Sequence, residues 1–331
     1  MIKLTKVRQE EIRTNLKGKR IAVVGDMMVD CYIWGTVKRI SPEAPVPVVE
    51  VDDEFHRFGG AANVALNIAT LGGVPVPFGV IGNDSYGKLF TNLLADAGIT
   101  DAGLIRVDNR STTAKTRVIA HNQHVVRIDK EHTSYIDAET EKLLIAKLEE
   151  HIDKLDAVIL QDYNKGVLTP NIIESVIAIA NNKNKLVTVD PKFTNFFNYK
   201  NVTVMKPNRK EAGDVLSMKI KTEEDQILAG NTLLERLNAK YVLLTLSEEG
   251  IMIFEKDKAP RRMPTKARHV ADVSGAGDTV ISTLTIALAA GADIVEASYL
   301  ANFAGGLVCE EVGIVPIEVN KLFEEVATEN Q

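Results

Sequence analysis

Short apolar runs alternate along the chain with longer segments of helical periodicity. Arg20-Ile-Ala-Val-Val-Gly25 is apolar almost throughout and ends in glycine, the pattern of a strand buried on both faces. Similar runs recur at Ala157–Leu160, Leu186–Val189 and Tyr241–Leu246. Between them, Ala138–Ile152, Asn171–Ala180 and Asp225–Asn238 carry apolar residues at helical spacing. Strand and helix in alternation predict an α/β fold: a doubly wound, mainly parallel sheet with helices on both faces.

Two stretches interrupt this rhythm. Residues 32–56 hold three prolines in a short run, and residues 111–130 hold Thr-, Val- and Ile-rich segments around His121-Asn-Gln-His124, which reads as a hairpin turn. Together they predict a small β lid over the carboxyl ends of the sheet, where open α/β sheets bind ligands. No repeat or low-complexity linker divides the 331 residues, so a single domain, 1–331, with that lid is expected.

Composition narrows the function classes. Apolar residues make up 45% and charged residues 25%, which suits a globular chain with a large core. A net charge of −6 with no dense Lys/Arg run argues against nucleic acid and anionic membrane as partners. The two cysteines, Cys31 and Cys309, form no CxxC pair, and the charged N-terminus lacks an apolar leader core. A cytoplasmic location is expected.

The richest chemical segment is Asp272-Val-Ser-Gly275-Ala276-Gly277-Asp278, followed at once by a helical stretch to about Ala290. Small residues at a helix N-terminus let backbone N–H groups converge on an anion, which the helix dipole also favours. Gly275, Ala276 and Gly277 therefore form a candidate phosphate cradle. An Asp in the same first turn can accept a proton from an attacking hydroxyl, so Asp278 is the candidate base. Taken alone, the segment also fits an ordinary glycine-rich helix entry.

Other segments tip that balance. The Asp-Val-Ser-Gly-Ala-Gly-Asp run resembles the second signature of the ribokinase-like (PfkB) carbohydrate kinases. Gly25-Asp-Met-Met-Val-Asp30 resembles that family's opening segment, and Phe58-Gly59-Gly60-Ala-Ala-Asn63 its glycine-pair motif. Lys206-Pro-Asn208-Arg209-Lys210-Glu211 matches its NxxE element and Thr245-Leu-Ser247-Glu-Glu-Gly250 its nucleotide-side turn, with Ser247 where many relatives have glycine. The resemblance spans about residues 20 to 315. It implies ATP with Mg2+, Glu211 acting through the magnesium and phosphate network, and ATP contacts from Asn208, Arg209, Lys210, Glu211, Thr245, Ser247, Gly250 and Asn302. It implies sugar contacts from Asp30, Gly59, Gly60 and Asn63, a K+ effect near Asp272, and a homodimer formed through the lid.

Within the family, the similarity is greatest to the D-glycero-D-manno-heptose 7-phosphate kinases of ADP-heptose synthesis. Arg39-Ile-Ser-Pro-Glu-Ala-Pro-Val-Pro-Val-Val resembles their lid, Gln161-Asp162-Tyr-Asn-Lys165-Gly166 their SDYxKG stretch, and Asp190-Pro-Lys192 follows the next strand. That implies contacts to a sugar phosphate from Asp162, Lys165, Lys192 and Arg39, with the anomeric hydroxyl as nucleophile. A phosphorylated substrate needs cations, and both lysines follow strand ends. The bifunctional relatives carry an HxGH motif that these 331 residues lack, so a kinase unit alone is expected. A same-fold kinase for another sugar, or a non-catalytic sugar- or nucleotide-binding regulator, is the alternative. Gly82-Asn-Asp-Ser-Tyr-Gly87-Lys88-Leu89 nearly spells a P-loop but ends on Leu, which offers magnesium no hydroxyl. His121 and His124 lack companions at metal spacing and read as hairpin surface.

Overall fold

The structure, a computed structural model, describes residues 4–121, 123–265, 270–311 and 313–329. Its strands are β1 (Arg20–Gly25), β2 (Met27–Ile40), β3 (Pro47–Gly60), β4 (Val74–Gly82), β5 (Gly103–Val107), β6 (Thr113–Ala120), β7 (Gln123–Lys130), β8 (Ala157–Gln161), β9 (Leu186–Asp190), β10 (Val204–Met205), β11 (Tyr241–Thr245), β12 (Ile251–Glu255) and β13 (Arg261–Met263). The helices are α1 (Lys6–Leu16), α2 (Ala61–Thr70), α3 (Ser85–Asp96), α4 (Ala138–His151), α5 (Pro170–Asn182), α6 (Arg209–Leu216), α7 (Glu223–Leu237), α8 (Ala276–Ala289), α9 (Ile294–Cys309) and α10 (Val319–Glu329). Each strand and helix expected above is present, with ends within a few residues.

The main sheet has nine strands in the order β13-β12-β11-β10-β9-β8-β1-β4-β5. From β11 to β5 every pairing is parallel, and only the β12 and β13 edge runs antiparallel. Alternation along β1 serves both faces: Ile21 and Val23 pack with α2 and α8, whereas Ala22 and Val24 pack with α4 and α5. Two apolar layers thus clamp the sheet, as the near-continuous apolar strands require. The helices start where side chains satisfy their first N–H groups: Asp137 accepts from Thr140, Thr169 from Ile172 and Thr222 from Asp225.

After β1 the chain builds β4 and β5 on one side, then crosses to β8 on the other. The order of strands therefore reverses between β1 and β8, and a crevice opens at their carboxyl ends. Gly25-Asp26 and Gln161-Asp162 lie at its lip.

The second sheet, ordered β3-β2-β6-β7, is the lid. Two antiparallel hairpins are joined by the parallel β2–β6 pairing. The expected lid, 32–56 and 111–130, is too short at its first part: pairing runs from Met27↔Gly60 outward, so Asp30 and the glycine pair lie at the lid's root. In the second hairpin, Ala120 pairs with Gln123, and the expected turn residue Asn122 lies outside the described residues. The near P-loop is a strand-to-helix turn. Asp84 caps α3 by accepting from Gly87, and also accepts from Thr112 and Lys130.

Candidate active site

Helix α8 begins at Gly275, whose φ of 81° lies in the left-handed region that favours glycine. No side chain caps it. The N–H groups of Gly277 and Asp278 stand in its first turn, where the helix itself offers them no acceptor. Gly275, Ala276 and Gly277 thus stand at a helix entry, and the Asp278 side chain turns inward rather than capping.

Asp278 is 5% exposed and accepts hydrogen bonds on both oxygens. Asn63 Nδ2 donates to Oδ2 at 2.8 Å, while the Tyr163 hydroxyl and Gln161 Nε2 donate to Oδ1 at 2.7 and 3.1 Å. Burial pushes its carboxyl up to about 6; the Asn63 and Tyr163 donors restrain the rise and the Asp190 charge adds to it. Such a carboxylate is ionised at neutral pH yet more basic than a surface Asp.

Behind Asp278 lies a second buried group. Gln161 Nε2 also donates to Asp190 Oδ2 at 3.1 Å, and Lys206 Nζ, 3% exposed, lies 3.0 Å from Asp190 Oδ1. A Cβ added at Gly277 would stand 3.6 Å from Lys206 Nζ, so this ammonium directly underlies the cradle.

The lid root supplies Asp30, 2% exposed and paired with Arg117 at 2.7 Å. Burial raises its carboxyl despite that partner. Gly59 and Gly60 make room: a Cβ at Gly59 would meet Asp30 Oδ2 at 2.8 Å, and one at Gly60 would meet the Asp26 carbonyl at 2.5 Å. Asn63 Oδ1 is buried without a protein partner.

Asp26, fully buried, organises the neighbouring loop. Its carboxylate accepts the backbone N–H groups of Tyr163, Lys165 and Val167 at 2.8, 3.0 and 3.1 Å. Arg110 pins the same loop from outside, donating to the carbonyls of Lys165, His132 and Ser134. Lys165 is thereby aimed at the lid, where it pairs with Glu131 at 2.8 Å.

The two lysines part company. Lys192 pairs with Glu211 and lies 5.7 Å from the centre of the Tyr163 ring. Burial alone would lower its ammonium, but Asp190 and Glu211 reverse the effect and hold it above the ordinary lysine value. Glu211 also closes a capping box, accepting from Asn208 N while Asn208 Oδ1 accepts from Glu211 N.

Asn208, Lys210 and Ser247 line a cavity of about 570 Å³ beside this box. Ser247 has a φ of 54°, which explains why glycine suits that turn, and Gly250 follows at 88°. Arg209 binds the Leu246 carbonyl and Glu249, Thr245 donates its N–H to the Pro207 carbonyl, and Asn302 donates to the Pro264 carbonyl.

Three expected contacts are not gathered here. Asp162 projects to the face opposite Gln161, where it accepts from Tyr199 at 2.8 Å, so it braces the loop instead of facing Asp278. Arg39 is exposed near the tip of β2, about 30 Å along the strand from Asp30. Asp272 accepts from Ser274 N and Gly313 N, which outweigh burial and hold its carboxyl low. Among the described residues no group of three His, Cys, Asp or Glu side chains fits a metal ion.

Tyr163, Gln161, Asp190, Lys206, Asp26 and Arg117 had no role assigned from sequence. A charged residue closing or following an apolar strand, as at Asp190 and Asp26, is the signal the sequence offers.

The sequence of pfkB family carbohydrate kinases matches residues 19–319. The bifunctional protein HldE of Syntrophotalea carbinolica is 40% identical over 318 residues, covering 96% of this chain and 65% of that protein. HldE of Geobacter sulfurreducens is 41% identical over 300 residues, 90% of this chain and 61% of the relative. The chain thus spans less than two thirds of the length of these relatives. Among solved structures, Arabidopsis thaliana ribokinase complexed with ribose and ATP superposes with a TM-score of 0.74 at 18% identity, covering 94% of this chain and 99% of that one. Escherichia coli phosphofructokinase-2 in complex with substrates and products gives 0.77 at 17%, covering 95% and 100%. These two share the fold.

Proposed function

This chain belongs to the pfkB family of carbohydrate kinases, and on that footing we propose that it transfers the γ-phosphoryl group of ATP to the anomeric hydroxyl of D-glycero-D-manno-heptose 7-phosphate, giving the 1,7-bisphosphate used in ADP-heptose synthesis. The observation that carries the reading is Asp278, buried in the first turn of α8 at the strand-order reversal.

Asp278 takes the hydroxyl proton as the oxygen attacks phosphorus. The first-turn N–H groups of α8 receive the charge of the migrating phosphoryl group. Asp30 and the free acceptor of Asn63 hold sugar hydroxyls, and the glycine pair lets backbone approach them. Lys165, turned toward the lid, takes the 7-phosphate.

The nucleotide lies along the Asn208–Ser247 cavity, and Lys192, paired with Glu211 of the adjoining capping box, reaches its phosphates. Magnesium would supply charge neutralisation on those phosphates; the assignment of Glu211 to it rests on resemblance, since one oxygen of that residue pairs with Lys192 and the other accepts from Asn208 N. A K+ effect near Asp272 rests on resemblance alone, since both oxygens of that residue already accept backbone N–H groups. No helix among the described residues is long and apolar enough to cross a membrane, and the free cysteines suit a reducing cytoplasm.

A panel of heptose 7-phosphate, heptose, fructose 6-phosphate, fructose 1-phosphate and ribose with ATP and Mg2+ tests the reading. Turnover should be highest on heptose 7-phosphate, with the product phosphorylated at the anomeric carbon. Preference for another sugar would overturn the substrate, and ATP turnover with none of them would overturn the kinase itself.

A further inference from the structure

The buried polar chain behind Asp278 has no part in holding either substrate, yet it joins four residues from four separate elements. Gln161 ends β8, Asp190 ends β9, Lys206 follows β10 and Asp278 starts α8. The Gln161 amide bridges Asp278 Oδ1 and Asp190 Oδ2, each at 3.1 Å, and Lys206 holds the other Asp190 oxygen at 3.0 Å. All four are at most 6% exposed.

Gln161 also stands where the SDYxKG stretch it resembles has serine, a side chain too short to span two carboxylates. Its Nε2 bridges two acceptors while its Oε1 is buried without a partner, a cost in free energy that the bridge offsets.

We propose that Lys206 and Asp190, coupled through Gln161, are positioning residues for the base: they fix the amide that aligns Asp278 and balance the charge beside it. The proposal rests on the kinase reading above.

The two carboxylates repel, and the Asp190 charge favours protonation of Asp278. The Lys206 ammonium offsets that effect, and the Asn63, Tyr163 and Gln161 donors add to it by meeting an ionised carboxylate. The charged or titratable groups facing Asp278 are Asp190 and Lys206 from the sheet side, Tyr163 from the loop after β8, and Lys192 from the loop after β9. From α2 comes only the neutral Asn63.

Opposite charge changes should then move the titration of Asp278 in opposite directions. Lys206→Met leaves Asp190 unbalanced and should shift the acid limb of kcat/KM up by about one pH unit, a roughly fivefold loss near pH 6 and about tenfold below pH 5 that is largely recovered at pH 8. Asp190→Asn removes the repelling charge and should shift it down. Lys206→Arg should restore the wild-type limb, and Gln161→Ser, which removes one donor, should raise it by a smaller step.

The Asp278 carboxylate can also be followed without substrate, by ¹³C NMR of aspartate-labelled protein assigned with Asp278→Asn. That titration tests the coupling even if the sugar assignment fails. Equal loss at every pH with the titration unmoved in the Lys206 and Asp190 variants would overturn the proposal. Should either variant fail to fold, an unmoved titration in Gln161→Ser would overturn it alone.

Discussion

As the proposed base, Asp278 must be ionised at working pH and still basic enough to draw a proton from a sugar hydroxyl. Burial raises its carboxyl to about 6, while the Asn63 and Tyr163 donors and the Lys206 charge stop it rising further. As a base it works only when deprotonated, so kcat/KM should fall about tenfold per pH unit below about 6. A flat profile between pH 4.5 and 7 would exclude it as the base. Asp278→Asn, nearly isosteric, should keep both substrates bound and slow turnover by ~10²–10⁴, checked by single-turnover kinetics at saturation. Residues of this kind were legible where a local signal existed: Asp278 and Gly275 announce themselves by small residues before a helix, and Asp30 and Asn63 by flanking motifs. Gln161, Asp190 and Lys206 were not, because their meaning arises from convergence. Gln161 meets Asp278 across 117 positions of sequence, and no local spacing encodes that contact.

At the scale of elements, loops after parallel strands carry the candidate contact residues, and buried groups beneath them decide where each side chain points. Both candidate phosphate lysines were correctly expected at strand ends, but strand-end position alone could not tell their directions apart. Asp26 and Arg110 turn the loop after β8 so that Lys165 meets Glu131 by the lid, whereas the loop after β9 sends Lys192 to Glu211. Lys165→Ala should therefore raise KM for heptose 7-phosphate roughly tenfold to over a hundredfold, the worth of a charge-assisted phosphate bond of about 1.5–3 kcal/mol. Unphosphorylated heptose and ATP should be little affected. Lys192→Ala should act on the KM for ATP or on kcat instead. Equal losses on both sugars in Lys165→Ala would assign that residue to the fold. The β3–α2 junction makes a sharper demand. Gly60 has a φ of 57°, and a Cβ there would come 2.5 Å from the Asp26 carbonyl. Gly60→Ala should cost at least about 2 kcal/mol of stability, read as a lower urea midpoint at unchanged slope, together with weaker sugar binding.

At the scale of the whole molecule, the lid raises a problem that the main sheet has solved. The main sheet is covered on both faces by helices, but the lid exposes Ile40 at 60%, Val46 at 52%, Val51 at 59%, Val126 at 47% and Ile128 at 57%. Its edge strands β3 and β7 also leave backbone groups unpaired on their outer sides. Apolar side chains repeated on a thin sheet call for a cover. The sequence indicated the segments through their prolines and β-branched residues, but not the sheet's extent, because the pairing begins at the buried Met27 and Gly60 inside the core. A second copy placing its lid against the first would bury these residues in both chains, and a stable contact needs about 800 Å² from each partner. We therefore expect light scattering at micromolar concentration to give twice the mass of one chain. Val126→Asp with Ile128→Asp should yield a monomer, since two carboxylates on each side of a symmetric contact would be buried without partners. Because Asp30 and Arg117 sit at the root of the same sheet, that monomer should also bind sugar phosphate more weakly while its KM for ATP changes little. A wild-type monomer with full activity would show that the exposed lid face has another purpose.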